Sequence, residues 1–134
     1  MTTSSLTHIL SGAGFDLDRH AHTFGPVPPG DDSVISAVTR SGLVGRGGAG
    51  FPAGAKMASI TGRRPVVIAN GSEGEPLSSK DAVLLSDSPH LVLDGLSIAV
   101  AAVGATDAFL VVPASHTERL RKAITERRHS GWDR

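Results

Sequence analysis

The chain has 134 residues and contains no cysteine and no tyrosine, a single tryptophan and no formal net charge. Each shortage closes off a class of protein. Without thiolates there is no disulfide and no cysteine-held zinc or iron–sulfur cluster within these residues. With four phenylalanines and one tryptophan as its whole aromatic content, it has no platform on which bases would stack. A charge balance of thirteen basic against thirteen acidic residues supplies no field to hold a nucleic acid. The most apolar stretch, residues 91–105, is interrupted by Asp94 and Ser97 and is too short to span a bilayer. The opening Met1-Thr2-Thr3-Ser4-Ser5 lacks the basic and apolar regions of a signal peptide. These features predict a cytoplasmic domain with no membrane insertion, peripheral at most to a membrane assembly.

What is abundant is glycine, sixteen residues, with eight prolines. They punctuate a pattern of short elements. Residues 1–30 read as an extended arm with a weak opening element at 6–10, and residues 31–134 as an α/β domain. In the arm, His20 and His22 are spaced i, i+2, which brings both rings to one side only on a strand. No further ligand accompanies them, so a solvated loop is expected there and no metal site. A first helix over 33–42 has Asp32 or Ser33 as its cap, an apolar face of Val34, Ile35 and Val38, and Gly42 at its end. A second helix starts at Pro52 and runs through Lys56 to about Ile60.

Pro65-Val66-Val67-Ile68-Ala69 and Ala108-Phe109-Leu110-Val111-Val112 are continuous apolar runs, predicted as strands buried on both faces. Between them, Ser79 caps a short helix and Ser88-Pro89 opens a longer one that ends at Gly104. Ser115-His116-Thr117-Glu118 has capping-box spacing and opens a last helix. That helix should turn Leu120, Ala123 and Ile124 inward, and Arg119, Arg121, Lys122, Arg127 and Arg128 outward. Strand, helices, strand, helix is a βαβα pattern with parallel strands, a flavin- or dinucleotide-binding type of α/β domain. Two strands make a poor sheet alone, so the domain reads as incomplete.

The chemistry concentrates in residues 45–75. Gly45-Arg46-Gly47-Gly48-Ala49-Gly50 satisfies G-x-G-x-x-G, but a helix precedes it where a dinucleotide fingerprint needs a strand. Lys56 stands two residues after Gly54, not directly after it, so the P-loop pattern also fails. What remains is a bare glycine backbone leading into a helix, with Arg46 and Lys56 nearby, a combination that favours phosphate. The second loop, Asn70-Gly71-Ser72-Glu73-Gly74-Glu75-Pro76, follows a strand's carboxyl end, where open α/β sheets place ligands. Its amide and two carboxylates suit the donors and acceptors of a flavin ring or a nicotinamide amide. A serine-hydrolase reading of Ser72, with His90 or His116 as base, needs G-x-S-x-G, and this turn is one residue short.

The two loops resemble the flavin- and NADH-binding 51 kDa component of respiratory complex I, shared with NAD-dependent hydrogenases and formate dehydrogenases. The family's glycine loop reads close to G-R-G-G-A-G-F-P-x-G-x-K-W, and residues 45–56 match each fixed position. Its N-A-D-E-G-E-P-G signature is matched at Asn70, Glu73, Gly74, Glu75 and Pro76; Lys80-Asp81 and Pro89-His90 match its K-D and P-H. Met57, Ser59, Ser72 and Leu77 stand where the family usually has Trp, a further aromatic, Asp and Gly. The resemblance implies that Gly45, Arg46, Gly47, Gly48, Gly50 and Lys56 approach FMN and the dinucleotide, and that Phe51 stacks on the adenine. It implies that Asn70, Ser72 and Glu73 hold the flavin and that Glu75 meets the nicotinamide end, the catalytic position. The implied reaction is hydride transfer from NADH to FMN, with electrons passing onward to an iron–sulfur or ferredoxin-type acceptor protein. The cluster-binding cysteines and the later Gly-Glu-Glu flavin segment of full-length relatives are absent from these residues, so low activity in isolation is expected. A non-catalytic flavin-binding or assembly module is the alternative.

Overall fold

The computed structural model describes residues 14–46 and 49–133. The expected element at 6–10, and Gly47 and Gly48, lie outside them. In chain order the elements are α1 (Leu17–Phe24), α2 (Asp32–Ser41), α3 (Ala53–Ala58), β1 (Val66–Asn70), α4 (Lys80–Asp87), α5 (Pro89–Val103), β2 (Asp107–Val111) and α6 (Ala114–Ser130). The strands are parallel, with Val66 opposite Asp107, Ile68 opposite Phe109 and Asn70 opposite Val111. The α4–α5 pair forms the crossover. This is the α/β arrangement that the pattern of elements predicts.

Local chemistry sets most of the boundaries. Gly42 and Gly104 end α2 and α5 in the left-handed conformation, at φ 67° and 65°, which costs glycine nothing. Pro89 occupies the first turn of α5, where its missing N–H is no loss. The caps differ from expectation. Asp31, rather than Asp32 or Ser33, caps α2 by accepting from the Ser33 N–H at 2.8 Å. Ser79 and Ser88 make no side-chain cap. The Ser115–Glu118 capping box does not form either: α6 starts two residues earlier than that cap requires, at Ala114 after Pro113, and the Ser115 hydroxyl pairs with His116 Nδ1.

The predicted arm is interrupted by helix α1. Asp16 accepts from the Arg19 N–H at 2.8 Å and Gly25 closes the helix at φ 75°. Leu17 and His20 are buried, and α1 packs on α5 and α6. On a helix the i, i+2 histidines diverge: His20 is buried while His22 is not.

The apolar core is formed by Leu17, Leu85, Leu93, Ala102, Leu120 and Ala123. The strands depart from the reading as doubly buried. Paired residues in parallel register share a face, so Val66, Ile68, Phe109 and Val111 lie together, and they are 47%, 64%, 56% and 48% exposed. Helix α5 packs on both strands, and the described residues leave this face about half exposed. Ile124 is likewise partly exposed rather than inward. No single helix among the described residues is long and apolar enough to cross a membrane, and α4 and α5 meet at 101°.

Arg127, expected outside, is fully buried. It follows Leu120 and Ala123 on the inward stripe of α6 at helical spacing. Its Nη1 donates to Asp94 Oδ1 at 2.8 Å and to the His90 carbonyl at 3.1 Å, and its other nitrogens hold Asp133. Asp94 also accepts from Trp132 Nε1 at 3.1 Å and pairs with His20 Nε2 at 2.6 Å. One carboxylate on α5 therefore ties α1, α6 and the segment after α6 together.

His90 adjoins this cluster. Its Nε2 donates to the Phe15 carbonyl at 2.9 Å and lies 3.3 Å from Glu126, and its buried Nδ1 has no partner among the described residues. Burial lowers its pKa below 6.5; Glu126 and the Phe15 carbonyl oppose the shift, and the charges of Arg127 and His20 reinforce it. A depressed folded-state pKa means that the unfolded chain takes up the proton first. Stability at neutral pH should therefore fall as pH drops below 6.5, by at most about 1.4 kcal/mol per pH unit for this one proton. Urea titrations between pH 7.5 and 5 check this, and His90→Gln should flatten the upper part of the slope. An unchanged slope in that variant refutes the assignment to His90.

Candidate flavin and nucleotide site

The glycine loop is closed at its neck. Val44 and Pro52 form an antiparallel bridge, with Gly45 N–H donating to the Phe51 carbonyl at 2.9 Å and Ala53 N–H to the Leu43 carbonyl at 2.8 Å. Gly50 turns the chain at φ 59°. Arg46, Phe51 and Lys56 are exposed. Below the loop, α3 rests on α2 through Gly54, where a Cβ would lie 2.8 Å from the Thr39 Cα and N atoms.

The second loop is anchored to the strands and to α4. Gly71 N–H donates to the Val111 carbonyl at 2.7 Å and Asn70 Oδ1 accepts from Ser72 N–H at 3.0 Å, an Asx turn. Gly71 is closely packed: a Cβ would sit 3.0 Å from Leu85 Cδ1 and 3.3 Å from the Val111 carbonyl oxygen. Glu73 has both oxygens engaged: Oε1 accepts from Lys80 Nζ at 2.7 Å and Oε2 from Asp81 N–H at 3.0 Å. The Lys80 hydrogen bond, followed by the Asp81 N–H, holds its pKa below the usual glutamate value, while Glu73 and then Asp81 raise that of Lys80. Glu75 is exposed, and its carbonyl accepts from Ser78 N–H in a turn.

Among the described glycines of the two loops, two have no internal reason to be glycine. At Gly74 a Cβ would meet nothing within 4 Å, and at Gly45 only the Phe51 carbonyl at 3.8 Å. Neither has a positive φ. Bare backbone that neither packing nor conformation demands is what close approach of an outside group requires. With two nearby cations for phosphate and amide and carboxylate groups for a ring, the side chains present fit FMN.

The two loops do not themselves touch through hydrogen bonds among the described residues; they are connected by α2 on α5 and α5 on β1. The groove of about 590 Å³ lies elsewhere, between residues 26–30, α5, α6 and β2, with Leu96, Val100, Ala108, Ile124 and Trp132 in its walls. It contains none of the residues singled out in the loops. The hydrolase reading of Ser72 fails on geometry. His90 is committed to Phe15 and Glu126, and His116 lies near Ser86 and Ser115. Sequence reasoning left Lys80 and Asp81 without a role; their spacing of seven and eight residues from Glu73, at the start of a helix, was the available signal.

An α/β domain with a parallel sheet, a tethered glycine loop and an acidic loop beyond the strand end belongs to the class of nucleotide- and flavin-binding domains. The model of the Nuo51 FMN-binding domain (Complex1_51K) matches residues 38–132, and the chain belongs to that family. It is 33% identical to the F 2 subunit of the NADH-quinone oxidoreductase of Rhizobium meliloti over 93% of this chain and 31% of that protein. It is 39% identical to HndC, a subunit of the NADP-reducing hydrogenase of Solidesulfovibrio fructosivorans, over 73% of this chain and 21% of that protein. A chain of the NAD+-reducing [NiFe]-hydrogenase in its H2-reduced state superposes with a TM-score of 0.67 at 31% identity, covering 92% of this chain and 20% of that one. The chain thus spans a third or less of the length of these relatives.

Proposed function

We propose that this chain forms part of the FMN- and NADH-binding region of an NADH:acceptor oxidoreductase. Gly45, Arg46, Gly50 and Lys56, with Gly47 and Gly48 by their place in the family motif, receive the phosphate-bearing parts, and Phe51 offers a ring face to the adenine. Asn70, Ser72 and Glu73 face the flavin. Glu73 retains acceptor capacity, because a carboxylate has about four lone-pair sites and Lys80, the Asp81 N–H and the Ser78 side chain do not fill them all. Glu75, free of side-chain partners among the described residues, stands toward the nicotinamide. Bound FMN supplies the two-electron acceptor chemistry, and the protein supplies position and charge. The onward acceptor is an iron–sulfur or ferredoxin-type protein, and the compartment is the cytoplasm.

The observation that carries this reading is the pair of unconstrained glycines, Gly45 and Gly74. Gly45→Val and Gly74→Val should fold with stability within about 0.5 kcal/mol of the parent. Each should weaken FMN binding at least about tenfold, as read by quenching of flavin fluorescence. Full affinity in both variants, with the fold intact, would remove the loops from the site. The non-catalytic alternative rests on the groove of about 590 Å³, whose walls include none of the residues of the two loops. NADH oxidation with ferricyanide and excess FMN separates the two: turnover no faster than free FMN supports the binding module.

A further inference from the structure

We propose that Lys80 is a positioning residue of this site, acting through Glu73 to clamp the 70–76 loop onto the start of α4. The inference rests on the flavin-site reading above. Its geometry is a closed cycle. Lys80 Nζ donates to Glu73 Oε1 at 2.7 Å and to Asp81 Oδ1 at 2.9 Å, while Asp81 N–H donates to Glu73 Oε2 at 3.0 Å.

One ammonium therefore bridges two carboxylates. Take it away, and Glu73 and Asp81 face each other as like charges, which disfavours the arrangement that keeps Glu73 against the helix. The consequence is local because of where Glu73 sits. One side of the loop is fixed by Gly71 to Val111, and Asn70 holds Ser72. Glu73 is the next residue, and its carboxylate is what joins this side of the loop to α4. Releasing Glu73 frees Gly74 and Glu75, the residues that bring bare backbone and the unengaged carboxylate to the ligand. Lys80 is itself 42% exposed as a side chain, and exposed ion pairs contribute little to global stability. A clamp of this kind changes the position of a loop without deciding whether the chain folds.

The test compares Lys80→Met with Lys80→Arg in the full chain, by amide hydrogen exchange without ligand and by FMN titration. Lys80→Met should speed exchange at the Asp81 amide, which donates to Glu73, and weaken FMN binding by about tenfold, roughly the worth of the charge-assisted hydrogen bond that held Glu73. Its melting temperature should stay within about 2 °C of the parent. Lys80→Arg, which keeps the charge and the reach, should restore most of both. Unchanged exchange in Lys80→Met overturns the clamp whether or not flavin binds. Faster exchange with unchanged FMN affinity, or a loss that Lys80→Arg does not recover, overturns the positioning role. Failure of the parent chain to bind FMN at all removes the flavin reading, and the exchange measurement then still decides the clamp.

Discussion

Asp94→Ala is expected to lower stability by about 3 kcal/mol, at the lower end of what breaking a buried ion pair costs. The carboxylate receives Arg127, Trp132 and His20, and Arg127 and His20 are both fully buried. Alanine leaves three donors pointing at a void. Arg127 keeps Asp133, which is why the loss should not reach the top of the range. For a chain of this size roughly 4 °C accompanies each kcal/mol, so the melting temperature should drop by roughly 12 °C. A cycle with Arg127→Met distinguishes burial of charge from loss of packing. If the penalty is mainly a stranded guanidinium, the double variant will be more stable than the sum of the single losses predicts. Urea unfolding gives all four values, and a single-variant loss under about 1 kcal/mol would show that the network is dispensable.

The same residues explain what could and could not be seen in the sequence. Helix ends were legible because Gly42, Gly104 and Pro89 act within one turn of themselves, and the glycine and acidic loops were legible as motifs. Helix α1 was not, because Gly12, Gly14, Gly25 and three prolines around it outweigh a single capping aspartate and one buried leucine. Arg127 looked like part of a solvated basic face because its partner Asp94 is 33 residues away. Asp94 in turn looked like an interruption of an apolar helix. Buried polar networks are written in pairs distant along the chain, and local periodicity does not register them. The strands were recognisable from their apolar runs, but such a run says only that cover is needed. It does not say whether these residues provide it, and at Ile68 and Phe109 they do not. At the candidate site the sequence marked Glu73 as a ligand-facing carboxylate; its attachment to Lys80 and Asp81 depended on where α4 begins.

Gly54→Ala should be destabilising by about 3 kcal/mol, the upper end of the usual overpacking cost, although alanine is the better helix former. Gly54 is buried at the contact of α3 with α2. The added methyl would come within 2.8 Å of the Thr39 Cα and N. A flexible side chain can swing out of the way; the backbone of an adjacent helix can yield only if α2 and α3 separate. That separation would also displace Lys56 and strain the Val44–Pro52 bridge at the neck of the glycine loop. Stability and flavin affinity should therefore fall together, in contrast to Gly45→Val, where affinity alone should change. Thr39→Ala in the Gly54→Ala background should recover little, because the obstructing Cα and N remain. Thermal unfolding and FMN titration of the two variants test this. Full recovery by Thr39→Ala would mean that the threonine hydroxyl, not the helix backbone, limits how closely α3 approaches.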